Sequence, residues 1–275
     1  MRSIHCSDRT PGARNLLHSR YHRINGLSVS SAAKGVRGFT VVELLAILCV
    51  LSLLALSLLP AVAHSKGPSQ RAQCLDNLRQ LMQAAGMFAL ENRDSLPYPN
   101  WGNLMPGWLY RPVSGSPPNL SSPPYSSDPI LAYQTGLLWP LVKNRNVYLC
   151  PLDAASKYYT QRANKLSTYV MNGAVCGYGK LAGQGYYLNQ FEGEAFCLWE
   201  PDETIGSPPI GAFVYNDASA YPDRNEGPGR NHPGGTPIGT FGGGAVFRSV
   251  SFFRQQQTGR GPNLVWCVPG SIDGH

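Results

Sequence analysis

The chain has 275 residues, 43% of them hydrophobic, and a formal net charge of +7 at pH 7. That length accommodates one sizeable domain and an anchoring segment. The positive charge is concentrated in the first 38 residues, which hold seven Lys or Arg and one Asp, whereas the remaining 237 residues hold 16 basic and 15 acidic side chains. Because no Lys/Arg cluster with interleaved aromatic residues occurs, the composition argues against a nucleic-acid-binding protein.

The basic N-terminal stretch precedes a long apolar segment. Residues 44–63 contain no charged side chain, and a helix of about 20 residues spans about 30 Å, the thickness of a bilayer core. Basic residues ahead of such a helix hold the N-terminus in the cytoplasm. We therefore predict a single-pass inner-membrane protein with a cytoplasmic leader (1–38), a hydrophobic transmembrane helix (39–63) and a periplasmic or extracellular remainder. The alternative is an ordinary signal peptide, because Ala61-Val62-Ala63 resembles the cleavage site of such a peptide.

A glutamate stands at the start of the apolar segment. A lone carboxylate at the centre of a membrane helix costs roughly 2.5–3.5 kcal/mol, so Glu43 needs either a partner or a path to water. The stretch Gly38-Phe39-Thr40-Val41-Val42-Glu43-Leu44-Leu45 resembles the processing site of type IV prepilins and type II secretion pseudopilins.

This resemblance implies processing and self-assembly. A prepilin peptidase and N-methyltransferase would cut after Gly38 and methylate Phe39. Glu43, then the fifth residue of the mature chain, would pair with the N-terminal ammonium of a neighbouring subunit. Pro60, the twenty-second residue, would kink the helix through which subunits pack.

The next segment, residues 64–95, has the periodicity of an amphipathic helix. Its apolar residues recur at spacings of three and four: Leu75, Leu78, Leu81, Met82, Ala85, Phe88 and Ala89. Gly67-Pro68 predicts either two helices or one kinked helix, and residues 92–97 predict its end.

Helical periodicity is absent from residue 101 onward, and residues 96–275 are predicted to form a β-rich globular domain. Residues 112–129 are rich in Pro and Ser and predict an exposed loop. Short apolar segments at 137–139, 147–151, 167–172 and 210–215 predict strands. The predicted fold class is α+β, with a long N-terminal helix packed on a C-terminal antiparallel sheet.

The C-terminal part resembles a pilin-like family of planctomycete- and verrucomicrobia-type bacteria. Three stretches carry the resemblance: Cys74–Gln80, Cys150–Asp153 and Ser167–Asn172. The family also has a His-X9-Asp-Gly motif. Here nine residues separate His232 from Gly242-Gly243, so that glycine stands at the position of the aspartate. The resemblance implies a pilin-like fold over most of residues 38–253.

Two further sites are predicted without support from a recognisable motif. Four ligand-type residues lie within sixteen positions and predict a Ca²⁺ site, the alternative being a solvated polar loop: Asp217, Asp223, Glu226 and His232. Apart from this ion, no cofactor is predicted. The exported cysteines show no Cys-x-x-Cys spacing, which argues against zinc. One or two disulfides are expected in an oxidising compartment, and Cys176 with Cys197 is the favoured pair.

These patterns favour a structural role over catalysis. The leading prediction is a pseudopilin-like subunit, not an enzyme, that assembles with other pilin subunits through residues 39–63 into a secretion pseudopilus or type IV pilus-like filament. The first alternative is a membrane-anchored extracytoplasmic binding module that does not polymerise. The second is an anchored hydrolase using His232 and Asp217, for which no Gly-x-Ser-x-Gly or His-Glu-x-x-His pattern is present.

Overall fold

The computed structural model describes residues 38–162, 164–204, 217–223 and 225–275, apart from the side chains of 55–68. The chain divides into two compact units, residues 1–53 and 54–275. Except for Gly38, the predicted leader lies outside the described residues.

The described part of the first unit is helical from residue 41, where helix α1 (Val41–Glu91) begins. Glu43 Oε2 accepts hydrogen bonds from the Thr40 backbone N–H at 2.8 Å and from its hydroxyl at 2.9 Å, and Thr40 Oγ1 accepts from the Glu43 N–H at 3.3 Å. This reciprocal arrangement is a capping box, which satisfies backbone donors at the start of a helix. The large apolar side chains in the described part of this unit are exposed, with Phe39 at 78%.

Among the residues whose side chains are described, no helix is long and apolar enough to cross a membrane. Residues 55–63 of the predicted transmembrane helix, including the side chain of Pro60, lie outside that part of the chain. The transmembrane helix therefore stays a prediction.

In the second unit, α1 presents a buried stripe to the rest of the domain: Cys74, Leu78, Leu81, Met82, Ala85 and Ala89. The stripe confirms the amphipathic pattern, although Leu75 and Phe88 are half-buried. Helical structure continues through Gly67-Pro68, so of the two predicted alternatives the structure has the single helix. The helix ends at Glu91, immediately before the predicted stop.

A five-stranded sheet lies at the centre of the second unit, in the order β3-β1-β2-β4-β5. The strands are β1 (Val170–Asn172), β2 (Phe196–Trp199), β3 (Ser219–Ala220), β4 (Thr236–Thr240) and β5 (Ala245–Arg248). Neighbouring strands are antiparallel except β1 and β3, which are parallel. The α+β class is thus confirmed as a mixed α/β unit. The expectation of a wholly antiparallel sheet is wrong, because β3 reaches β1 over a long connection and only a tight hairpin forces neighbours to run in opposite directions.

The remaining helices are short. They are α2 (Ile130–Tyr133), α3 (Trp139–Val142), α4 (Pro151–Ala154) and α5 (Val250–Thr258), with 3₁₀ turns at Trp101–Asn103, Arg145–Tyr148, Tyr159–Gln161, Gly173–Cys176 and Leu188–Gln190.

Two of the predicted strands are helical instead. Residues 137–139 lead into α3, and residues 147–151 join a 3₁₀ turn to α4. Both helices have proline at one of their first two positions, where its fixed φ and missing N–H favour a helical start. Of the other predicted strands, 167–172 contains β1, whereas 210–215 lies outside the described residues. Residues 112–129 contain neither helix nor strand, as predicted.

The sheet is covered on both faces. Met171 and Leu198 pack in the same core cluster as the α1 stripe. On the opposite face, Trp199 and Ile238 pack with Phe253 of α5. Every residue of β1, β2 and β4 is buried for this reason.

A glycine of β4, Gly239, lies against helix α1. A Cβ atom built on Gly239 would lie 2.8 Å from Met82 Cγ and 3.3 Å from Leu198 Cβ. Because Met82 is only 1% exposed, it has little room to move. The absence of a side chain at position 239 therefore sets how closely α1 packs on the sheet.

We expect Gly239→Ala to lower the free energy of unfolding by about 1–3 kcal/mol, because overpacking strains a filled core. Gly86→Ala is the matched control: the position is on α1 with nothing within 4 Å of the added Cβ, so a gain of about 0.5–1 kcal/mol is expected. Denaturant unfolding followed by circular dichroism measures both. Equal stability of the two variants would contradict this account of the α1–sheet contact.

Candidate functional site

Four ligand-type side chains from distant parts of the sequence converge in the core of the second unit. They form what we call the Cys–His–Glu cluster: Cys74, Cys150, Glu200 and His232. Their ligand atoms lie within 4.8 Å of one another, and none of the four residues is more than 3% exposed. Among the residues that the structure describes, this is the only such group of three or more.

The two cysteines are brought together by anchors on their own elements. Cys74 belongs to the buried stripe of α1, and one turn later Asn77 donates hydrogen bonds to the carbonyls of Asn146 at 3.4 Å and Leu149 at 3.0 Å. These bonds hold the chain that leads into Cys150 against α1. The Cys150 N–H in turn donates to Thr168 Oγ1 at 2.6 Å.

The acid and the histidine come from the sheet. Glu200 directly follows β2, and its backbone carbonyl accepts a hydrogen bond from the Gly229 N–H. This places the segment before β4 beside it. His232 Nε2 lies 3.2 Å from Glu200 Oε1 and 3.3 Å from Cys150 Sγ. Asn231 Nδ2 approaches the second Glu200 oxygen at 3.4 Å.

Contacts within the cluster change the acidities of its members. Burial and the adjacent Cys74 thiol raise the pKa of Cys150 far above its usual range, outweighing the contact with His232. Burial alone would lower the pKa of His232, but contacts with Cys150 and Glu200 outweigh it and raise the pKa to about 9. His232 and Glu200 therefore form a buried ion pair at neutral pH, while Cys150 is not a thiolate.

The cluster is suited to bonding within the protein and not to catalysis on a dissolved substrate. A nucleophilic cysteine requires thiolate character and access, and Cys150 has neither. The residue types match a tetrahedral zinc site, but zinc–sulfur bonds of about 2.3 Å would separate two sulfur ligands by about 3.8 Å. Cys74 Sγ and Cys150 Sγ are 2.7 Å apart.

A second buried ionic group adjoins the cluster, and we call it the Arg162 group: Arg162, Asp153 and Glu203. Arg162 Nη2 donates to both Asp153 oxygens at 2.6 and 2.7 Å, and Arg162 Nε donates to Glu203 Oε1 at 2.5 Å. Burial is the main cause that raises the pKa of Asp153 to about 6, and Arg162 opposes it. The charge of Glu200 also raises this pKa, so the two groups interact electrostatically.

The ligand atoms of the predicted calcium site do not form one group among the described residues, and the site stays a prediction. His232 contacts Glu200 and Cys150. The three acids accept hydrogen bonds from backbone N–H groups: Asp217 from those of Gly102 and Ser219, Asp223 from that of Glu226, and Glu226 from that of Tyr221. Burial raises the pKa of Asp217, and it raises that of Glu226 to about 8.

The favoured disulfide between Cys176 and Cys197 stays a prediction. All cysteines of the described residues are free thiols, Cys74 and Cys150 included. Cys176 lies in a 3₁₀ turn beyond β1 and donates to the Gly173 carbonyl, whereas Cys197 lies within β2. The sulfur atoms in contact are those of Cys74 and Cys150.

The glycine at position 242 has a local structural explanation. Gly242 lies in the turn between β4 and β5, and its N–H donates to the Gly193 carbonyl at 2.8 Å. A Cβ at position 242 would lie 2.9 Å from that same oxygen. A side chain would therefore force these two segments apart.

Cys74, Cys150 and His232 lie in three separate stretches of the sequence, each of which carries part of the resemblance to the pilin-like family. That shared resemblance is the sequence signal that links the three residues. Glu200 had no such signal, because it is a single acid between a strand and a proline.

At the predicted cleavage site, no atom of the described residues lies within 4 Å of a Cβ built on Gly38, and Phe39 is exposed. Glu43 is hydrogen-bonded to Thr40 of its own chain. Comparisons with protein-family models, curated proteins and solved structures found no match.

We expect Arg162→Met to destabilise the protein by about 3–5 kcal/mol at pH 7, because two buried carboxylates lose the guanidinium that they share. Without that charge the pKa of Asp153 rises further, so acidification from pH 7 to 5 should restore part of the loss. The control is Arg79→Met, whose ion pair with Asp76 is about half exposed and contributes at most about 1 kcal/mol. Denaturant unfolding at both pH values makes the comparison, and equal losses in the two variants would contradict it.

Proposed function

We propose that this chain is a pilin-like structural subunit, cut after Gly38, N-methylated at Phe39 and able to assemble into a pseudopilus or type IV pilus-like filament. The observation that carries the proposal is the junction of residues 38–43 with the uncharged run 44–63. Its partners are a prepilin peptidase/N-methyltransferase and other subunits of the same kind. The protein sits in the inner membrane with its C-terminal domain outside the cytoplasm, and its role involves no catalysis.

Support comes from the exposed apolar surface of the first unit. The large apolar side chains from Phe39 to Leu54 are more than 40% exposed. A soluble protein rarely exposes a contiguous apolar surface of this kind, which marks a protein or membrane contact. In a filament subunit this surface is covered by lipid before assembly and by neighbouring helices afterwards.

The second unit also supports the proposal. The buried stripe of α1 lies against one face of a sheet whose other face is covered by α5. A helix that continues from an apolar segment into a globular α+β domain is the arrangement that the resemblance implies. We propose in addition that this domain packs as a pilin domain does.

The capping box refines the role of Glu43. The carboxylate accepts both Thr40 donors in a single chain, so it does not need a neighbouring subunit to be hydrogen-bonded. Among the described residues, no opposite charge is paired with this carboxylate. Cleavage creates an ammonium group at Phe39, and a neighbouring subunit's ammonium compensates the carboxylate charge where little water is present.

Processing is tested by intact mass and N-terminal sequencing of the membrane-extracted protein, from hosts with and without a prepilin peptidase. We expect a chain that begins at N-methyl-Phe39 only when the peptidase is present. A chain that begins near His64 would identify an ordinary signal peptide and reject the proposal. An uncut chain would favour the membrane-anchored binding module.

Assembly is tested with Glu43→Gln. Glutamine preserves the capping box but removes the charge, so this variant should be processed normally yet yield at least tenfold less sheared filament by immunoblot. Glu91→Gln, at the exposed end of the same helix, is the matched control and should assemble normally. Normal assembly of Glu43→Gln would contradict the charge-pairing role, and processed wild-type chains that never assemble would favour the binding module.

A further inference from the structure

We propose that Cys74 and Cys150 form a disulfide bond that fastens helix α1 to the sheet domain. His232 and Glu200 are then the ion pair that packs against this bond. The bond itself follows from the geometry of the cluster. Its presence in the cell rests on the proposed function, because a domain outside the cytoplasm meets an oxidising compartment.

The sulfur separation favours a covalent bond over a shared metal ion. The structure holds both residues as free thiols, yet their Sγ atoms are 2.7 Å apart, closer than two sulfur atoms in van der Waals contact. Closing to a disulfide of about 2.05 Å requires a shift of roughly 0.7 Å. Opening to the spacing of two zinc ligands requires a shift of roughly 1.1 Å in the other direction. The smaller movement forms the bond.

The charges in the core lead to the same conclusion. Zinc held by two thiolates, the Glu200 carboxylate and a neutral His232 would leave a net charge of −1 in a fully buried site. The disulfide removes both ionisable thiols and leaves His232 and Glu200 as an ion pair with no net charge. His232 Nε2 and Glu200 Oε1 are already 3.2 Å apart. A buried charge without compensation costs several kcal/mol, so the net charge of the site favours a disulfide over a bound zinc ion.

The backbone holds the cysteines together independently of their sulfur atoms. Asn77 ties α1 to Leu149, one residue before Cys150, and Thr168 binds the Cys150 N–H. The bond would close a loop of 76 residues. In the chain-entropy model, a loop of that length raises the folding equilibrium constant roughly a thousandfold.

Bond formation requires an electron acceptor, which we identify as the disulfide of a thiol–disulfide exchange partner. One cysteine thiolate attacks that disulfide and releases the partner's first thiol. The second cysteine then attacks the mixed disulfide and releases the partner's other thiol. Two thiol protons and two electrons leave the pair, and the partner is reduced to a dithiol. Since both sulfur atoms are inaccessible in the folded chain, exchange takes place before the core closes.

The experiment is peptide mapping of the full chain, purified in detergent from an exporting host and alkylated with N-ethylmaleimide in denaturant without reductant. Trypsin yields peptides 72–79 and 146–157, each with one cysteine. We expect these peptides to be linked, unalkylated and separable by reductant. Linkage should persist in Cys176→Ser, which removes a free thiol outside the cluster.

Several results would overturn the proposal. Recovery of both peptides fully alkylated would do so. If the same preparation holds about one equivalent of zinc, which Cys150→Ser loses, the cluster is a metal site instead. Linkage of Cys150 to a cysteine other than Cys74 would also reject it. In the supporting case, Cys74→Ala/Cys150→Ala should lower the unfolding midpoint on the order of 10 °C, whereas Cys176→Ser should not.

The same sample separates this proposal from the function on which it rests. A chain that begins at N-methyl-Phe39 but has free cysteines would reject the disulfide and retain the pilin pathway. A cross-linked chain with an unprocessed N-terminus would reject the pilin pathway and retain the disulfide.

Discussion

The packing of α1 against one face of the sheet is the contact on which the rest of the second unit depends. Gly239 lets Met82 lie close to β4, and the stripe from Cys74 to Ala89 supplies a large part of the core. An isolated helix gains little from its own hydrogen bonds and depends on burial of an apolar face. The sheet therefore stabilises α1, and α1 gives its strands a buried face.

The same contact explains how polar and ionic groups come to lie inside. Asn77 on α1 donates hydrogen bonds to two carbonyls ahead of Cys150, so its own buried amide group is hydrogen-bonded. Two buried ionic groups lie in the same domain: the His232–Glu200 pair and the Arg162 group. They interact, because the charge of Glu200 raises the pKa of Asp153. Each pairs acids with a cation, which is the condition for charges to remain buried.

Sequence patterns predicted the parts of the fold that depend on local chemistry. The α1 stripe, its end near Asn92 and the irregular stretch 112–129 all follow from spacing or composition, and the structure confirms them. The pattern missed α5, although Ser249 caps it by accepting from the Phe252 N–H. Its nine residues carry too few apolar side chains for a clear period.

What sequence could not predict depends on contacts between distant residues. The parallel pairing of β1 with β3 has no local signal. Cys176 and Cys197 were favoured because they close a short loop, whereas the sulfur contact joins residues 76 positions apart. The number of residues between two cysteines is a weak guide to whether they pair, because doubling the length of the loop that they close costs only about 0.6 kcal/mol. Packing of α1 therefore outweighs proximity in the sequence.

The proposed role gives the position of the sulfur contact a mechanical meaning. A subunit whose apolar helix is held by lipid or neighbouring subunits transmits any pull on its C-terminal domain through the contact between α1 and the sheet. Apolar packing and hydrogen bonds such as that of Asn77 can yield one at a time under load. A covalent bond from Cys74 to Cys150 cannot yield in this way, because separation of α1 from the domain beyond residue 74 then requires breaking it. Since Cys74 is the first fully buried residue of the stripe, the bond lies where such separation would begin.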